Sequence, residues 1–240
     1  MSQRLRTIAL PAQRGSILDD DRQPLALSLP SKDVYADPKM VTDPAAAAAE
    51  LSPVLHQSAR KLLAVLSEDT SFVYLARQID LSTAARIQKM NLPGIAFLDS
   101  TKRYYPNGSL APQVLGFVGV DGTGLAGLEN WYQSRLSGTP GQRTIEIDPA
   151  GNLIPQGVNK DTPPVRGEDV VTTIDKELQY RVQMALRNAV ENNKAKGGSV
   201  IVMDPRTGDI YAMATYPWFD PNRFAEITSR DKQVKDLTAA

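Results

Sequence analysis

The first third of the chain alternates apolar and polar residues in short runs. Residues 14–38 show this alternation around three prolines, and residues 71–79 show it again. Alternation with a period of two is typical of strands with one buried face, and proline marks strand edges and turns. The pattern therefore predicts strands in both stretches. Between them, residues 43–66 are rich in alanine and predict a helical region.

Two helix starts can be placed within and after this region. Ser52 and Pro53 are typical of an N-cap and a first helical turn, so we expect a helix from there to residue 66. Its buried stripe would consist of Leu55, Leu62, Leu63 and Leu66. Ser82 is expected to cap a short helix that ends at Met90. Residues 92–108 then predict a strand that ends in a turn.

A third helical pattern follows the glycine-rich middle of the chain. It predicts a helix from about residue 126 to residue 136, because apolar residues recur there at helical spacing. The residues that define the spacing are Leu125, Leu128, Trp131, Tyr132 and Leu136, with Gly138 closing the helix. Residues 142–157 predict two strands around a turn at residues 149–152.

The pattern changes after a polar stretch at residues 158–169, which contains a Pro-Pro pair and predicts a domain boundary. A strand (169–175), a long amphipathic helix (176–194) and a hairpin closed by Gly208 are expected next. The expected buried face of the helix is Leu178, Val182, Ala185, Leu186, Ala189 and Val190. So small a β-α-β-β unit cannot bury both faces of its sheet, so we expect residues 166–240 to be the first part of a larger domain.

Composition excludes several classes of function. Lys plus Arg equals Asp plus Glu at 27 each, and this zero net charge argues against a nucleic-acid-binding protein. The chain has no cysteine, so neither disulfides nor thiolate chemistry are available, and its only histidine, His56, lies in a predicted helix. We therefore expect no metal site and no cofactor. No apolar run reaches the about 18 residues of a membrane span, so we expect a soluble segment, compatible with an anchor before Met1.

One glycine-rich motif leaves an alternative open. Gly122, Gly124 and Gly127 form G-x-G-x-x-G, the phosphate-binding pattern of dinucleotide sites. Glu146 and Asp148 follow at about the 20-residue distance at which such sites hold the ribose. The preceding stretch is poor in β-branched residues and the following helix is short, both of which weaken this interpretation. A nucleotide-binding oxidoreductase therefore remains the alternative function.

A second motif, S-x-x-K, occurs twice. It is the nucleophile pattern of penicillin-reactive serine enzymes. Ser58–Lys61 is expected in the middle of a helix, and Ser229–Lys232 lies in a polar tail. Neither is followed by the S-x-N or K-T-G elements that this chemistry needs, so we interpret both as coincidental.

Four stretches together resemble the signature blocks of class B penicillin-binding proteins. Three resemble the N-terminal blocks of that family: RGSILDDDRQPLA, KRYYPNGSLAPQVLGFV and GLAGLENWYQSRLSGTPG. The fourth, GSVIVMDPRTGDIYAMATYPWFDPN, resembles the opening hairpin of the family's transpeptidase domain. The order and spacing match over essentially the whole chain, and SLPSKDVYADPK and FVYLARQID are most similar to the division-specific (septal) member.

The resemblance implies an α+β fold in two parts. An elongated, mostly-β pedestal, of the penicillin-binding protein dimerisation type, would occupy residues 1–165. An incomplete N-terminal part of the transpeptidase domain would occupy residues 166–240. The whole protein would be a septal peptidoglycan D,D-transpeptidase that is acylated by β-lactams through a lysine-activated serine. That serine would lie beyond Ala240, so no catalytic residue is expected in this chain.

The same resemblance implies where the protein works and with what. Stem peptides and β-lactams would bind the missing domain. Residues 1–240 would lie on the outer side of the cytoplasmic membrane and contact a membrane-embedded septal peptidoglycan polymerase and other division proteins. A stand-alone interaction module without an enzyme attached is the other alternative.

Eight residues carry the family's motif positions in this sequence. They are Arg14 and Gly15 in the first block, Arg103, Tyr105 and Pro106 in the second, and Gly124, Gly127 and Glu129 in the third. We expect the three ionic residues to meet in one partly buried cluster that holds the pedestal in one shape. One departure lies in the first block, where the family often has Asp-Arg-x-Gly. This chain has Asp19-Asp20-Asp21-Arg22-Gln23, so the turn there is expected to differ.

Overall fold

The computed structural model describes residues 5–146 and 159–224. The chain divides into two compact units, which we name the inserted unit (Leu29–Lys102) and the main unit (Met1–Ser28 with Arg103–Ala240). The predicted turn at residues 149–152 and the motif Ser229–Lys232 lie outside the described residues. The fold mixes helices and strands throughout, as predicted.

The strands are β1 (Leu5–Leu10), β2 (Ile17–Leu18), β3 (Pro24–Ala36), β4 (Val73–Ile79), β5 (Ile95–Tyr104), β6 (Gly141–Glu146), β7 (Asn159–Thr162), β8 (Val170–Val171), β9 (Gly198–Met203) and β10 (Ile210–Tyr216). The α-helices are α1 (Pro44–Leu55), α2 (Ala59–Leu66), α3 (Leu81–Met90), α4 (Pro112–Leu115), α5 (Gly127–Trp131), α6 (Gln133–Leu136) and α7 (Lys176–Asn192). Among the residues that the structure describes, 3₁₀ turns lie at Pro38–Met40 and Pro221–Arg223.

The inserted unit packs three helices against a small sheet. The later part of β3 pairs antiparallel with β4, where Tyr35 faces Tyr74, and β5 also pairs with β3. Apolar side chains of α1, α2 and α3 cover this sheet and form the core. Fully buried members of the core include Val34, Leu51, Leu62, Leu66 and Ile87.

The helix predicted from Ser52 to residue 66 is in fact two helices. α1 begins earlier, at Pro44, and ends at Leu55, and its C-cap, His56, adopts a left-handed conformation with φ 52°. α2 begins after Ser58, whose hydroxyl accepts a hydrogen bond from the Lys61 backbone N–H at 3.3 Å. Ser58 is therefore an N-cap and not a mid-helix residue, which agrees with the preference of serine for that position. Leu63 is exposed, so the expected leucine stripe was wrong at this position.

The expected cap of α3 was also misplaced. The helix begins at Leu81. Its N-cap is Asp80 and not Ser82, and Asp80 has the extended backbone angles φ −63° and ψ 152°. Its end at Met90 agrees with the prediction. Ser82 lies inside the first turn because the extended residue that precedes the helix is two positions upstream.

The described residues of the main unit form three groups of strands. β1, β6 and β7 form an antiparallel sheet, and β2 pairs antiparallel with the start of β3 and parallel with β8. β9 and β10 form the predicted hairpin, and α7 packs against it. β7 begins within the stretch predicted as a domain boundary, and the strand predicted at 169–175 is limited to Val170–Val171. The boundary near residue 165 remains a prediction.

The helix expected over residues 126–136 is interrupted. α5 ends at Trp131 and α6 begins at Gln133, with Tyr132 between them at non-helical angles. The expected apolar stripe is also incomplete, since Leu136 is fully buried whereas Trp131 is 81% exposed. Two helices of this length are held by tertiary contacts, because isolated short helices are unstable in water.

The buried face of α7 differs from the expected one. Leu186 and Val190 are buried, but so are two glutamines, Gln179 and Gln183. Ala185 and Ala189 are exposed. The sequence pattern placed only apolar residues on this face, whereas the amides of both glutamines bond to backbone groups beneath the helix.

The departure in the first block produces a strained turn at Arg22. This exposed residue has φ 60°, in the left-handed region, at the position where the family often has glycine. The turn closes through Arg22 N–H to the Asp19 carbonyl at 3.1 Å. A side chain in this conformation costs energy that glycine avoids.

We therefore expect Arg22→Gly to raise the free energy of unfolding by about 0.5–1 kcal/mol, net of the entropy that glycine loses on folding. Urea denaturation measures the change. Arg22→Ala removes the same side chain but keeps the Cβ, so it should give no such gain. Equal changes in both variants would show that the backbone conformation does not matter here.

Candidate functional site: a buried arginine–glutamate cluster

Three ionic residues, one from each N-terminal block, meet inside the main unit. Arg14 lies in the segment before β2, Arg103 near the end of β5 and Glu129 in α5. Arg14 Nε donates to Glu129 Oε2 at 2.7 Å, and Arg103 Nε donates to Oε1 of the same carboxylate at 2.6 Å. Glu129 is fully buried, and both arginine side chains are about as hidden, at 6% and 5% exposure. We name Arg14, Arg103, Tyr105 and Glu129 the ionic cluster.

The two guanidinium groups also bind backbone carbonyls. Arg14 Nη2 donates to the Glu129 carbonyl at 2.6 Å, and Arg14 Nη1 donates to the Gly122 carbonyl at 3.3 Å. Arg103 Nη1 donates to the Gly15 carbonyl at 2.7 Å and to Ser28 Oγ at 3.2 Å. Arginine suits this role because its planar fork carries several donors in fixed directions. The cluster therefore fixes backbone segments that are far apart in the sequence.

Tyr105 completes the contacts of the carboxylate. Its hydroxyl donates to Glu129 Oε1 at 3.3 Å. Burial, and after it the neighbouring Glu129 carboxylate, raise the pKa of the Tyr105 hydroxyl well above its usual value. Tyr105 therefore stays a neutral donor at any physiological pH. Among the described residues, Arg103 Nη2 finds no hydrogen-bond acceptor.

The glycines of the blocks are places where two backbone segments approach closely. A Cβ on Gly15 would lie 1.9 Å from the Glu168 carbonyl oxygen, and one on Gly124 would lie 2.1 Å from the Glu129 carbonyl oxygen. Gly127 has φ +58°, and a Cβ there would lie 2.5 Å from the Gly116 nitrogen. Real Cβ atoms do not approach backbone atoms so closely. These glycines let the strands and turns around the ionic cluster come together.

The glycine-rich loop does not have the geometry of a dinucleotide site. Such a site needs a parallel strand that runs into the first glycine and a helix whose N-terminus faces the phosphates. Here Val118 and Gly124 form an antiparallel bridge, and the Leu125 N–H donates to the Phe117 carbonyl at 2.9 Å. The helix that follows, α5, has five residues. The oxidoreductase alternative is therefore wrong.

Pro106 stands apart from the other motif residues. It is exposed and begins a turn in which the Gly108 N–H donates to the Tyr105 carbonyl at 3.0 Å. Its neighbour Tyr105 belongs to the ionic cluster, whereas Pro106 shapes the loop that leaves it.

The sequence patterns missed Gln133, which supports the cluster. Its Oε1 accepts from Arg14 Nη1 at 2.7 Å and from the Gly124 N–H at 2.8 Å. Gln133 follows Glu129 by four positions, and residues at that spacing in a helical stretch lie on one side. This spacing was the signal that could have identified it.

The part of the chain that the structure describes contains no group of His, Asp and Glu side chains that could hold a metal ion. Within the same residues, no helix combines the length and apolar character needed to cross a membrane. The ionic cluster lies inside the main unit, with the Glu129 side chain fully buried. It is enclosed by backbone, so its chemistry is that of a structural support.

Comparison with known families agrees with the motif blocks. The family described as "Penicillin-binding Protein dimerisation domain" matches residues 9–172. This chain belongs to that family. The match contains all three N-terminal blocks, and with them every residue of the ionic cluster, so the resemblance to penicillin-binding proteins is confirmed.

Several relatives extend the similarity over nearly the whole chain. The peptidoglycan D,D-transpeptidase FtsI of Escherichia coli (strain K12) is 35% identical, covering 98% of this chain and 41% of the relative. The probable peptidoglycan D,D-transpeptidase PenA of Neisseria gonorrhoeae is also 35% identical, with the same coverage. This chain therefore spans about two fifths of the length of the curated relatives that it matches.

Solved structures of penicillin-binding proteins share the fold. Penicillin Binding Protein 2X from Streptococcus thermophilus is 25% identical with a TM-score of 0.64, covering 95% of this chain and 37% of that one. The complex between Penicillin-Binding Protein (PBP2) and MreC from Helicobacter pylori gives a TM-score of 0.72 at 21% identity, covering 95% and 47%. The mixed helix-and-strand architecture predicted from the sequence is that of the penicillin-binding protein family.

Proposed function

We propose that this chain is the N-terminal part of a septal peptidoglycan D,D-transpeptidase, which cross-links stem peptides during bacterial cell division. The observation that carries the proposal is 35% identity, over 98% of the chain, to proteins named for this activity. The family's dimerisation domain matches residues 9–172, and the similarity to these relatives, which covers 98% of the chain, continues beyond it. The catalytic serine would lie beyond residue 240.

The contribution of the segment itself would be to position the enzyme. Apart from the exposed Pro106, its motif residues take part in buried hydrogen bonds or in close backbone contacts. A rigid support of this kind can orient a catalytic domain that follows in the chain. The predicted pedestal (1–165) and transpeptidase start (166–240) describe this division of roles.

Partners and location form part of the same proposal. The Helicobacter pylori structure contains a penicillin-binding protein bound to MreC, which supports contact of this module with another protein of the division or shape machinery. We place the segment on the outer side of the cytoplasmic membrane, where stem peptides are cross-linked and where β-lactams would bind the whole protein. A chain without cysteine suits that compartment.

Covalent labelling with a fluorescent penicillin tests the proposal. The 240-residue chain should form no adduct, because Ser58 is a helix N-cap whose hydroxyl is bonded to backbone. The longer protein, continued past Ala240 from its own gene, should form one adduct per molecule. Mass spectrometry locates the modified serine.

Two results would contradict the proposal. An adduct at Ser58 or Ser229 would place the nucleophile inside this chain. Failure of the longer protein to react, while correctly folded, would remove the transpeptidase assignment.

A further inference from the structure

The segment after β10 is attached to the second signature block by one side-chain amide. Asn222 Nδ2 donates to the Tyr105 carbonyl at 2.9 Å, and the Tyr105 N–H donates to Asn222 Oδ1 at 2.9 Å. The amide thus pairs with one backbone residue in both directions, as a neighbouring strand would. Tyr105 also donates its hydroxyl to Glu129, so one residue joins the ionic cluster to this segment.

The orientation of the Asn222 amide is fixed by Asp220. Oδ1 of Asp220 accepts from the Asn222 backbone N–H at 2.9 Å and from Asn222 Nδ2 at 3.0 Å. The side-chain nitrogen therefore faces two acceptors, which leaves the oxygen to face the Tyr105 N–H. Pro221, between them, is buried and begins the short 3₁₀ turn. Asp220 therefore orients the Asn222 amide so that it can form both hydrogen bonds to the Tyr105 backbone.

Other side-chain amides strengthen the same attachment. Gln183 Nε2 donates to the Ser109 carbonyl at 2.6 Å, and its Oε1 accepts from the Ala111 N–H at 3.2 Å. Gln113 Nε2 reaches the Thr215 carbonyl at 3.2 Å. Phe224 stacks on Phe117 with ring centroids 3.7 Å apart. The loop after β5 is therefore joined both to α7 and to the segment that leaves β10.

We propose that Asn222 is a positioning residue for the transpeptidase reaction. Its amide fixes the segment that leads toward the catalytic serine onto Tyr105, and so onto the ionic cluster. This inference rests on the proposed function. An amide is required at this position because one side must donate to a carbonyl while the other accepts from an N–H. A carboxylate cannot donate, whereas a protonated carboxyl group can.

The test uses the longer protein that continues past Ala240, with Asn222→Asp and the control Asn107→Asp. Asn107 lies two positions after Tyr105, but its side chain is exposed and its amide donates to the Pro24 carbonyl at 3.4 Å instead of to Tyr105. Saturation kinetics with a fluorescent penicillin separate binding from the acylation step, each relative to wild type at the same pH. At pH 8 we expect Asn222→Asp to slow acylation about tenfold without weakening binding, since a carboxylate would face the Tyr105 carbonyl.

The pH profile is the decisive readout. The Asn222→Asp variant can regain a donor only when its new carboxyl group is protonated. Because the Asp220 carboxylate lies against this position, it disfavours a second negative charge and raises the pKa of the new carboxyl group above the usual value of about 4. The acylation rate of the variant relative to wild type should therefore recover as the pH falls to about 5 and below. The control should stay within about twofold of wild type at every pH. All rates are measured at least about 20 degrees below each variant's melting temperature, which separates positioning from general stability.

Each outcome is informative. A ratio to wild type that is near one at all pH values, or a loss of acylation rate that does not recover on acidification, would overturn the positioning role while the transpeptidase assignment stands. Absence of acylation in the folded wild-type protein would overturn both. A tenfold loss that recovers on acidification would support the inference.

Discussion

Replacing Glu129 by glutamine is expected to lower the free energy of unfolding of the main unit by about 3–5 kcal/mol. The carboxylate is fully buried and accepts hydrogen bonds from the Nε groups of both Arg14 and Arg103. Without its charge, two guanidinium groups remain buried with no counter-ion in the ionic cluster. The amide nitrogen of glutamine would also face one arginine donor, because glutamine offers a single side-chain oxygen.

Urea denaturation followed by tryptophan fluorescence measures this loss. Both tryptophans of the chain, Trp131 and Trp218, lie in the main unit, so the signal reports on the unit that contains the cluster. Glu177→Gln is the matched control, since it makes the same chemical change in an ion pair that is 77% and 80% exposed. The control should change stability by less than about 0.5 kcal/mol. Equal effects of the two substitutions would show that burial of Glu129 has no energetic consequence.

The second large effect is expected for Gly124→Ala, which should destabilise the main unit by about 3 kcal/mol, the upper end of the usual range for overpacking. The new Cβ would lie 2.1 Å from the Glu129 carbonyl oxygen, 2.4 Å from its carbonyl carbon and 2.8 Å from the Asn130 nitrogen. All three are backbone atoms of the short helix that carries Glu129, so no side chain can rotate out of the way. Relief of the clash requires movement of α5, and with it of the carboxylate.

Gly122→Ala separates this steric effect from a general effect of the motif. Gly122 belongs to the same glycine pattern, but a Cβ there meets nothing within 4 Å. Its φ of +83° still makes alanine unfavourable, so we expect a loss of about 1–2 kcal/mol. The same denaturation experiment compares the two variants. A larger loss at Gly122 than at Gly124 would contradict the close-approach role of Gly124.

The ionic cluster could be anticipated from the sequence because its residues belong to recognisable blocks. Arg14, Arg103 and Glu129 each stand in a different block, and the structure brings them together. Strand β4, the end of α3 and the hairpin β9–β10 were likewise predictable, since local alternation and turn residues specify them. In these places local preference and tertiary structure agree.

The remainder depends on contacts that no local pattern contains. Gln179 and Gln183 occupy the buried face of α7 because backbone groups of distant segments need their amides. The sequence marked Asn222 only as the last residue of the fourth block and did not predict its bond to Tyr105, which lies 117 positions away. The break between α1 and α2 was missed because leucines recur at helical spacing on both sides of Ser58, which caps the second helix. Hydrophobic periodicity does not identify which polar side chain will be buried.

The central claim, that the signature blocks form one buried ionic support, is tested most directly by a double-mutant cycle on Arg103 and Glu129. Unfolding free energies are measured for Arg103→Ala, Glu129→Ala and the double variant. We predict that each single substitution costs about 3–5 kcal/mol and that the double variant loses at least about 2 kcal/mol less than the sum. Additive losses below about 0.5 kcal/mol each would place these charges in an environment like the exposed surface and contradict the account.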